Sequence, residues 1–407
     1  MTSTDATMFP FASAFQQPVG SPIRELFPYL SRPGMISFAG GYPAASTFDT
    51  AAIGQCMAEA LASHPAECLQ YGATEGVPAL REALSRQMGQ AGAPTPAERI
   101  LVTSGSQQGF DFLVRAFVEP GVPVIVEAPT YPAAIQALRL AGARLVPVRA
   151  DAEGIDTVAL DQCLRDCAPA ERPRLIYLVP TFANPTGATL SLRRRQEVLR
   201  LAAQYELLVI EDDPYGCLAF DGAPPATLLS MANGEPALRD RIIYLGSLSK
   251  TVAPGLRIGW MAAHPDVVRR AVLAKQASDL CTPPWIQRAM AAYLDAGHLR
   301  GQIARIVAVY RDKRDAMVSA LDRELGGRVD YARPGGGMFV WASLPEGVDS
   351  TALLREAIEE NVLFVPGKAF HVATGQPSPA LRLSFATPSV AEIEEGVRRL
   401  ARALARV

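Results

Sequence analysis

Seven short apolar runs, RILVTSG, VPVIVEAP, ARLVPVRA, RLIYLVPT, LLVIEDD, RIIYLGS and LRIGWMAA, are separated by stretches with helical spacing such as QQGFDFLVRAFV, AAIQALRLAG and LRRRQEVLRLAAQYE. Parallel strands cannot be joined by a tight turn and need a crossover, usually helical. The alternation therefore predicts an α/β fold with a mostly parallel seven-stranded sheet flanked by helices on both faces. It occupies roughly residues 51–295.

Outside that region the grammar changes. Residues 1–20 show no period and several prolines, as expected of an arm. After the long helical stretch GQIARIVAVYRDKRDAMVSALDREL come VDYARPGGGMFVWASL, a helix around STALLREAIEEN, the run LRLSFAT and a last helix near VAEIEEGVRRLARAL. We expect three parts: an N-terminal arm and small-domain segment (1–50), a large domain (51–297) and a smaller α+β domain (298–407). The run Gly335-Gly336-Gly337 reads as a hairpin turn with no part in the chemistry.

Composition narrows the function classes. Lys and Arg number 39 against 41 Asp and Glu, a net charge of -2, so no global field draws nucleic acid or an acidic membrane. Any anion site must be built locally. No apolar run approaches the roughly 18 residues of a membrane helix. The start MTSTDATMFPFASAF lacks the basic flank and apolar stretch of a signal peptide, so a cytoplasmic protein is expected. Six cysteines are scattered without CxxC pairs and four histidines are dispersed, which predicts neither a disulfide framework nor a metal centre.

In open α/β sheets ligands collect beyond the carboxyl ends of the strands. After RILVT comes Ser104-Gly105-Ser106-Gln107-Gln108-Gly109, opening a helix whose free N–H groups suit a phosphate. RLIYLVP is followed by Thr181-Phe182-Ala183-Asn184-Pro185-Thr186-Gly187, where the proline holds Asn184 extended. The run LLVI leads into Glu211-Asp212-Asp213-Pro214-Tyr215-Gly216, three acids at a strand end that need cations, a metal or solvent. RIIYLG is followed by Ser247-Leu248-Ser249-Lys250 and then Arg257. A lysine there, its pKa lowered by burial and by cations, can form an imine with an aldehyde. Arg382 stands inside the run ALRLSFA, where an unpaired guanidinium is costly and asks for a carboxylate.

Taken in order, SGSQQG, NPTG, EDDPYG, SLSK with the later Arg257, and RLSFA resemble the class I/II aminotransferases of fold type I, which use pyridoxal 5'-phosphate. The variants SGSQQ, EDDPYG and GGGMF are similar to the branch holding 2-aminoadipate, kynurenine and aromatic aminotransferases and the effector domains of MocR-type regulators. The resemblance spans about residues 20–400. It implies that Lys250 holds the cofactor as a Schiff base and shuttles the substrate's α-proton, and that Asp212, in preference to Asp213, pairs with the pyridine nitrogen. It further implies that Asn184 and Tyr215 bond the phenolic oxygen, Tyr131 stacks on the ring, and Ser106, Gln107, Ser247, Ser249 and Arg257 bind the phosphate. Arg382 would grip the substrate's α-carboxylate. Tyr71 would reach the phosphate of a neighbouring subunit, which implies a homodimer with shared active sites. The segments Ser21-Pro22-Ile23-Arg24 and Gly40-Gly41-Tyr42-Pro43 resemble those that close over the substrate, with Arg24 and Gly40 as binding candidates.

The activity implied is transfer of an amino group from an L-amino acid to a 2-oxo acid such as 2-oxoglutarate, of 2-aminoadipate/aromatic type or with broad specificity. A C–S β-lyase or decarboxylase shares the scaffold and the carbanion logic. A MocR-type regulator would carry an additional N-terminal winged-helix domain, and no basic helix pair precedes the resemblance. A nicotinamide dehydrogenase would show GxGxxG after an early strand, which is missing.

Overall fold

The chain is described from a computed structural model covering residues 9–16, 20, 23–373 and 375–407; Ser21 and Pro22 lie outside the described residues. All seven expected strands form. Across the main sheet their order is Ile100–Thr103, Gly259–Ala262, Ile242–Ser247, Leu208–Asp212, Leu175–Leu178, Pro123–Ala128 and Arg144–Asp151, with an eighth strand, Gly154–Ile155, at the edge. That added strand is only two residues long and folds back on Ala150 and Asp151, too short to show in the hydrophobic pattern.

Within the seven, only Gly259–Ala262 runs against its neighbours. The six others therefore end on one edge, and Gly259, paired with both Thr103 and Ser247, starts from that edge. Side chains alternate between two apolar layers: Val124, Val126, Ile210 and Ile243 pack in one, and Ile125, Val209 and Ile242 in the other. Successive strand residues point to opposite faces, so burial of both sets requires helices on both. The helices Pro78–Gln90, Ser106–Phe117, Pro132–Leu140 and Leu192–Gln204 lie close to their expected positions.

The long helix His298–Leu325 leads to a second, antiparallel sheet ordered Asp330–Tyr331, Phe339–Ser343, Ala380–Ser384, Val365–Pro366. Arg382 is in its middle, opposite Trp341 on one side and Val365 on the other. The N-terminal strand Ile36–Ser37 pairs in parallel with Val362–Leu363, and the Ser384 amide donates to the Phe38 carbonyl at 2.8 Å. The arm is thereby tied to the second sheet.

The run Gly335-Gly336-Gly337 lies, as expected, in the hairpin loop between the antiparallel strands Asp330–Tyr331 and Phe339–Ser343, and it also packs against Phe182 and Leu218. A Cβ on Gly336 would fall 2.3 Å from the Phe182 ring, and the Phe220 and Gly337 amides donate to Gly335 and Leu218 carbonyls at 2.8 and 3.0 Å. Only glycine permits this approach. Among the described residues no helix is long and apolar enough to cross a membrane, and no His, Cys, Asp or Glu group could hold a metal ion.

Candidate active site

The shared strand edge borders a cavity of about 320 Å³, whose wall includes Lys250, Asp212, Asn184, Tyr215, Tyr131 and Arg382. Ser106, Gln107, Ser247, Ser249 and Arg257 line it as well. Residues far apart in sequence meet here because they stand at or just after the ends of several strands on this edge, with Arg382 brought in from the second sheet.

Asp212 ends the strand Leu208–Asp212 and is buried. Its Oδ2 accepts a 2.7 Å hydrogen bond from the Tyr177 hydroxyl, whereas its Oδ1 has no partner. Burial pushes this carboxyl up to about 7, opposed by the Tyr177 bond. The three acids of EDD are thus divided rather than gathered on a metal. Glu211 points away and accepts from the Leu228 and Leu229 amides at 2.7 and 3.0 Å, and Asp213 accepts from the Gly216 amide at 2.9 Å and the Tyr244 hydroxyl at 3.1 Å. Of the three, only Asp212 lines the cavity.

Arg382 is 1% exposed, and among the described residues no carboxylate pairs with it. Its Nη1 donates to Asn184 Oδ1 at 2.7 Å and Nη2 to the Ala39 carbonyl, while Nε is buried without a partner. Phe339 and Phe370 cover the guanidinium, with ring centroids 4.3 and 5.1 Å away. Burial pushes its pKa down to about 10. Such a cation is expensive to keep without a purpose.

Lys250 Nζ donates to the Gly41 carbonyl at 2.9 Å. Burial, with Arg382 and Arg257 nearby, lowers its pKa to about 8, although Asp212 opposes the shift. A depressed lysine is protonated below that value and free to react above it. We expect NMR titration of the reductively ¹³C-methylated, ligand-free chain to give a midpoint near 8 for Lys250, against about 10.4 for an ordinary lysine. A midpoint above about 10 would remove the amine from this buried, cation-flanked setting.

The helix Ser106–Phe117 starts after Gly105, whose φ is 86°, and no side chain caps it. Arg257 lies across this turn, its Nη2 donating to the Ser104 carbonyl at 2.8 Å; a Cβ on Gly105 would fall 2.4 Å from that nitrogen. Behind the turn is a network that sequence reading missed. Lys275 Nζ donates to Gln108 Oε1, Asp279 Oδ1 and Thr282 Oγ1 at 3.1, 2.9 and 3.0 Å. Gln108 Oε1 in turn accepts from the Ser104 amide at 2.7 Å. Nothing in the pattern VLAKQASDL marks Lys275 as buried.

Tyr177 on the cavity wall was not singled out in the sequence, whereas Ile23, Gly41 and Tyr42, also on the wall, come from the two segments expected to close over the substrate. A tyrosine inside the fully buried strand Leu175–Leu178 was the available signal for Tyr177, because its hydroxyl must find a partner. Gly40 does not line the cavity, which Gly41 borders one residue on; a Cβ at Gly40 would fall 2.6 Å from the Tyr42 ring. Arg24 is exposed on the short turn Arg24–Leu26 and also lies outside the wall, although Ile23 is part of it. Tyr71 is 78% exposed and away from its own chain's cavity.

Comparison with known proteins gives consistent results. The family profile "Aminotransferase class I and II" matches residues 39–400. The aromatic-amino-acid aminotransferase 1 of Thermococcus litoralis is 40% identical over 94% of this chain and 90% of that protein. The 2-aminoadipate transaminase of Thermus thermophilus is 43% identical over 94% of each chain. A crystal structure of the α-aminoadipate aminotransferase from Thermus thermophilus, complexed with N-(5'-phosphopyridoxyl)-L-leucine, superposes with a TM-score of 0.89 at 41% identity, covering 98% of both chains.

Proposed function

Because the chain belongs to the class I and II aminotransferases and is a pyridoxal-phosphate-dependent transaminase, we propose that it moves the amino group of an aromatic or 2-aminoadipate-like L-amino acid to a 2-oxo acid, with glutamate and 2-oxoglutarate as one pair. The observation that carries this reading is the buried, acid-free Arg382 in one cavity with a reactive-type lysine and a half-satisfied aspartate.

The cavity suits the cofactor on its own chemistry. The unpartnered Asp212 Oδ1 matches a protonated ring nitrogen, and the uncapped start of Ser106–Phe117, flanked by Ser247, Ser249 and Arg257, matches a phosphate. Lys250 would hold the aldehyde, Tyr131 would face the ring, and Asn184 and Tyr215 would meet the phenolic oxygen, all four lining the cavity. When bound, pyridoxal phosphate supplies a sink for the charge left on the substrate carbon that loses its proton.

The chain's own residues do the rest. Arg382 binds the α-carboxylate through a planar fork, which every amino acid and 2-oxo acid can satisfy, and so fixes the direction of the α-hydrogen. Lys250 Nζ, poised near 8, takes that proton and returns it on the other side of the exchange. Asn184 is bonded to Arg382, which couples carboxylate binding to the cofactor pocket. Burial raises the Tyr215 hydroxyl far above its usual range and keeps it a donor at neutral pH.

On this reading the arm and small-domain segment (1–50) and the small domain (298–407) cover the cofactor domain (51–297). Tyr71, exposed on its own chain, reaches the phosphate of a second copy in a homodimer. Arg24 meets substrates with an acidic side chain. The cytoplasmic placement belongs to the same proposal.

A panel of donors, including aromatic amino acids, 2-aminoadipate and glutamate, tests it. Each should be consumed only in the presence of a 2-oxo acid and yield one new amino acid per donor lost. Release of ammonia or carbon dioxide without an acceptor would favour the β-lyase or decarboxylase reading instead.

A further inference from the structure

Tyr177 is 1% exposed in the strand Leu175–Leu178, beside the strand that carries Asp212. Its ring lies 4.8 Å from that of Phe110, on the helix that begins at Ser106. Its hydroxyl donates to Asp212 Oδ2 at 2.7 Å, and Asp212 Oδ1 is left buried and unpartnered. A carboxylate free to turn could offer either oxygen, or both, to a ligand. Here one is occupied by a neutral donor set in a strand and braced by an aromatic ring.

We propose that Tyr177 is a positioning residue that fixes the rotation of the Asp212 carboxylate and presents Oδ1 alone to the ring nitrogen of the cofactor. The inference rests on the assignment of Asp212 to that nitrogen. Tyr177 lines the cavity, and the role proposed for it runs through its hydrogen bond to Asp212. A ligand with a protonated ring nitrogen meets a carboxylate already aimed and partly satisfied. A ligand without that nitrogen gains nothing from the aim, so the tyrosine should matter to one and not the other. Simple packing against the ring would affect both.

The experiment measures binding rather than turnover. Ligand-free wild-type, Tyr177→Phe and Asp212→Asn chains are titrated with pyridoxamine 5'-phosphate, which offers no aldehyde to Lys250, and with its counterpart carrying carbon in place of the ring nitrogen. Tyr177→Phe should raise the Kd for pyridoxamine phosphate about tenfold, the size of one charge-assisted hydrogen bond, and leave that of the counterpart within about twofold. Equal weakening of the two ligands, or none, overturns the proposal. If Asp212→Asn also fails to discriminate between them, the assignment of Asp212 is at fault; if it discriminates and Tyr177→Phe does not, only the role of Tyr177 falls.

Melting curves confirm that the variants fold, and the phenylalanine keeps the ring against Phe110. Phe110→Leu loosens the packing and leaves the hydroxyl in place, so it should weaken both ligands alike. Selective loss for pyridoxamine phosphate in that variant would also count against a specific role for the hydroxyl.

Discussion

Lys250→Ala is expected to lower turnover by on the order of 10⁴- to 10⁶-fold, the range seen when a covalent nucleophile is removed. The same change should abolish the covalent link that borohydride traps between chain and cofactor, and with it labelling of the peptide SLSK. Binding of the cofactor need not vanish, because the phosphate and ring contacts come from other residues. On the proposed reading, so large an effect follows because one amine does two tasks, attachment and proton transfer. It is fitted for both by burial and by Arg382 and Arg257, which favour its neutral form. Steady-state kinetics and mass spectrometry of the reduced, digested protein measure the two losses. A fully active Lys250→Ala variant that still forms the adduct would falsify the assignment.

Arg382→Ala is expected to lower kcat/KM for every amino acid by about 10²- to 10³-fold, equivalent to about 3–4 kcal/mol, within the range for leaving one partner of a buried charge pair alone. On the proposed reading the partner is the substrate's own carboxylate, since among the described residues no acid pairs with Arg382. Arg382→Lys should recover little. An ammonium cannot reproduce the flat fork that contacts both Asn184 and Ala39, nor the stacking on Phe339 and Phe370. The penalty should fall mainly on substrates with an α-carboxylate and be small for simple amines. A loss equal for amines and amino acids would mean that Arg382 acts through the fold and not through the substrate.

Both effects follow from residues that were visible in the chain, for a reason particular to this architecture. In a parallel sheet with helical crossovers, each strand end is followed directly by a loop on the same edge. Asp212, Asn184, Lys250 and Ser106 each come right after an apolar run, so reading the runs placed the residues. Arg382 was conspicuous as a cation in a buried strand that asks for a carboxylate, and among the described residues its partners are instead Asn184 and the Ala39 carbonyl.

Other features had no local signature. Glu211, Asp212 and Asp213 are adjacent and alike in sequence, and only the pleat of the strand and the neighbours Tyr177, Tyr244 and Leu228 decide which one faces the cavity. That Gly41 rather than Gly40 borders the cavity is not marked in the chain, where the two glycines are adjacent. The buried Lys275 network and the packing of the glycine run 335–337 come from contacts between segments far apart in the chain.

The order of apolar runs thus determined by itself the sheet, the edge on which a site forms and most of the side chains that reach it, because periodicity and strand ends are local properties of the chain. Which oxygen of Asp212 stays free, which glycine borders the cavity and what braces the phosphate turn were decided by tertiary structure alone. Those outcomes depend on the direction and distance of partners from other segments, and no local pattern encodes them.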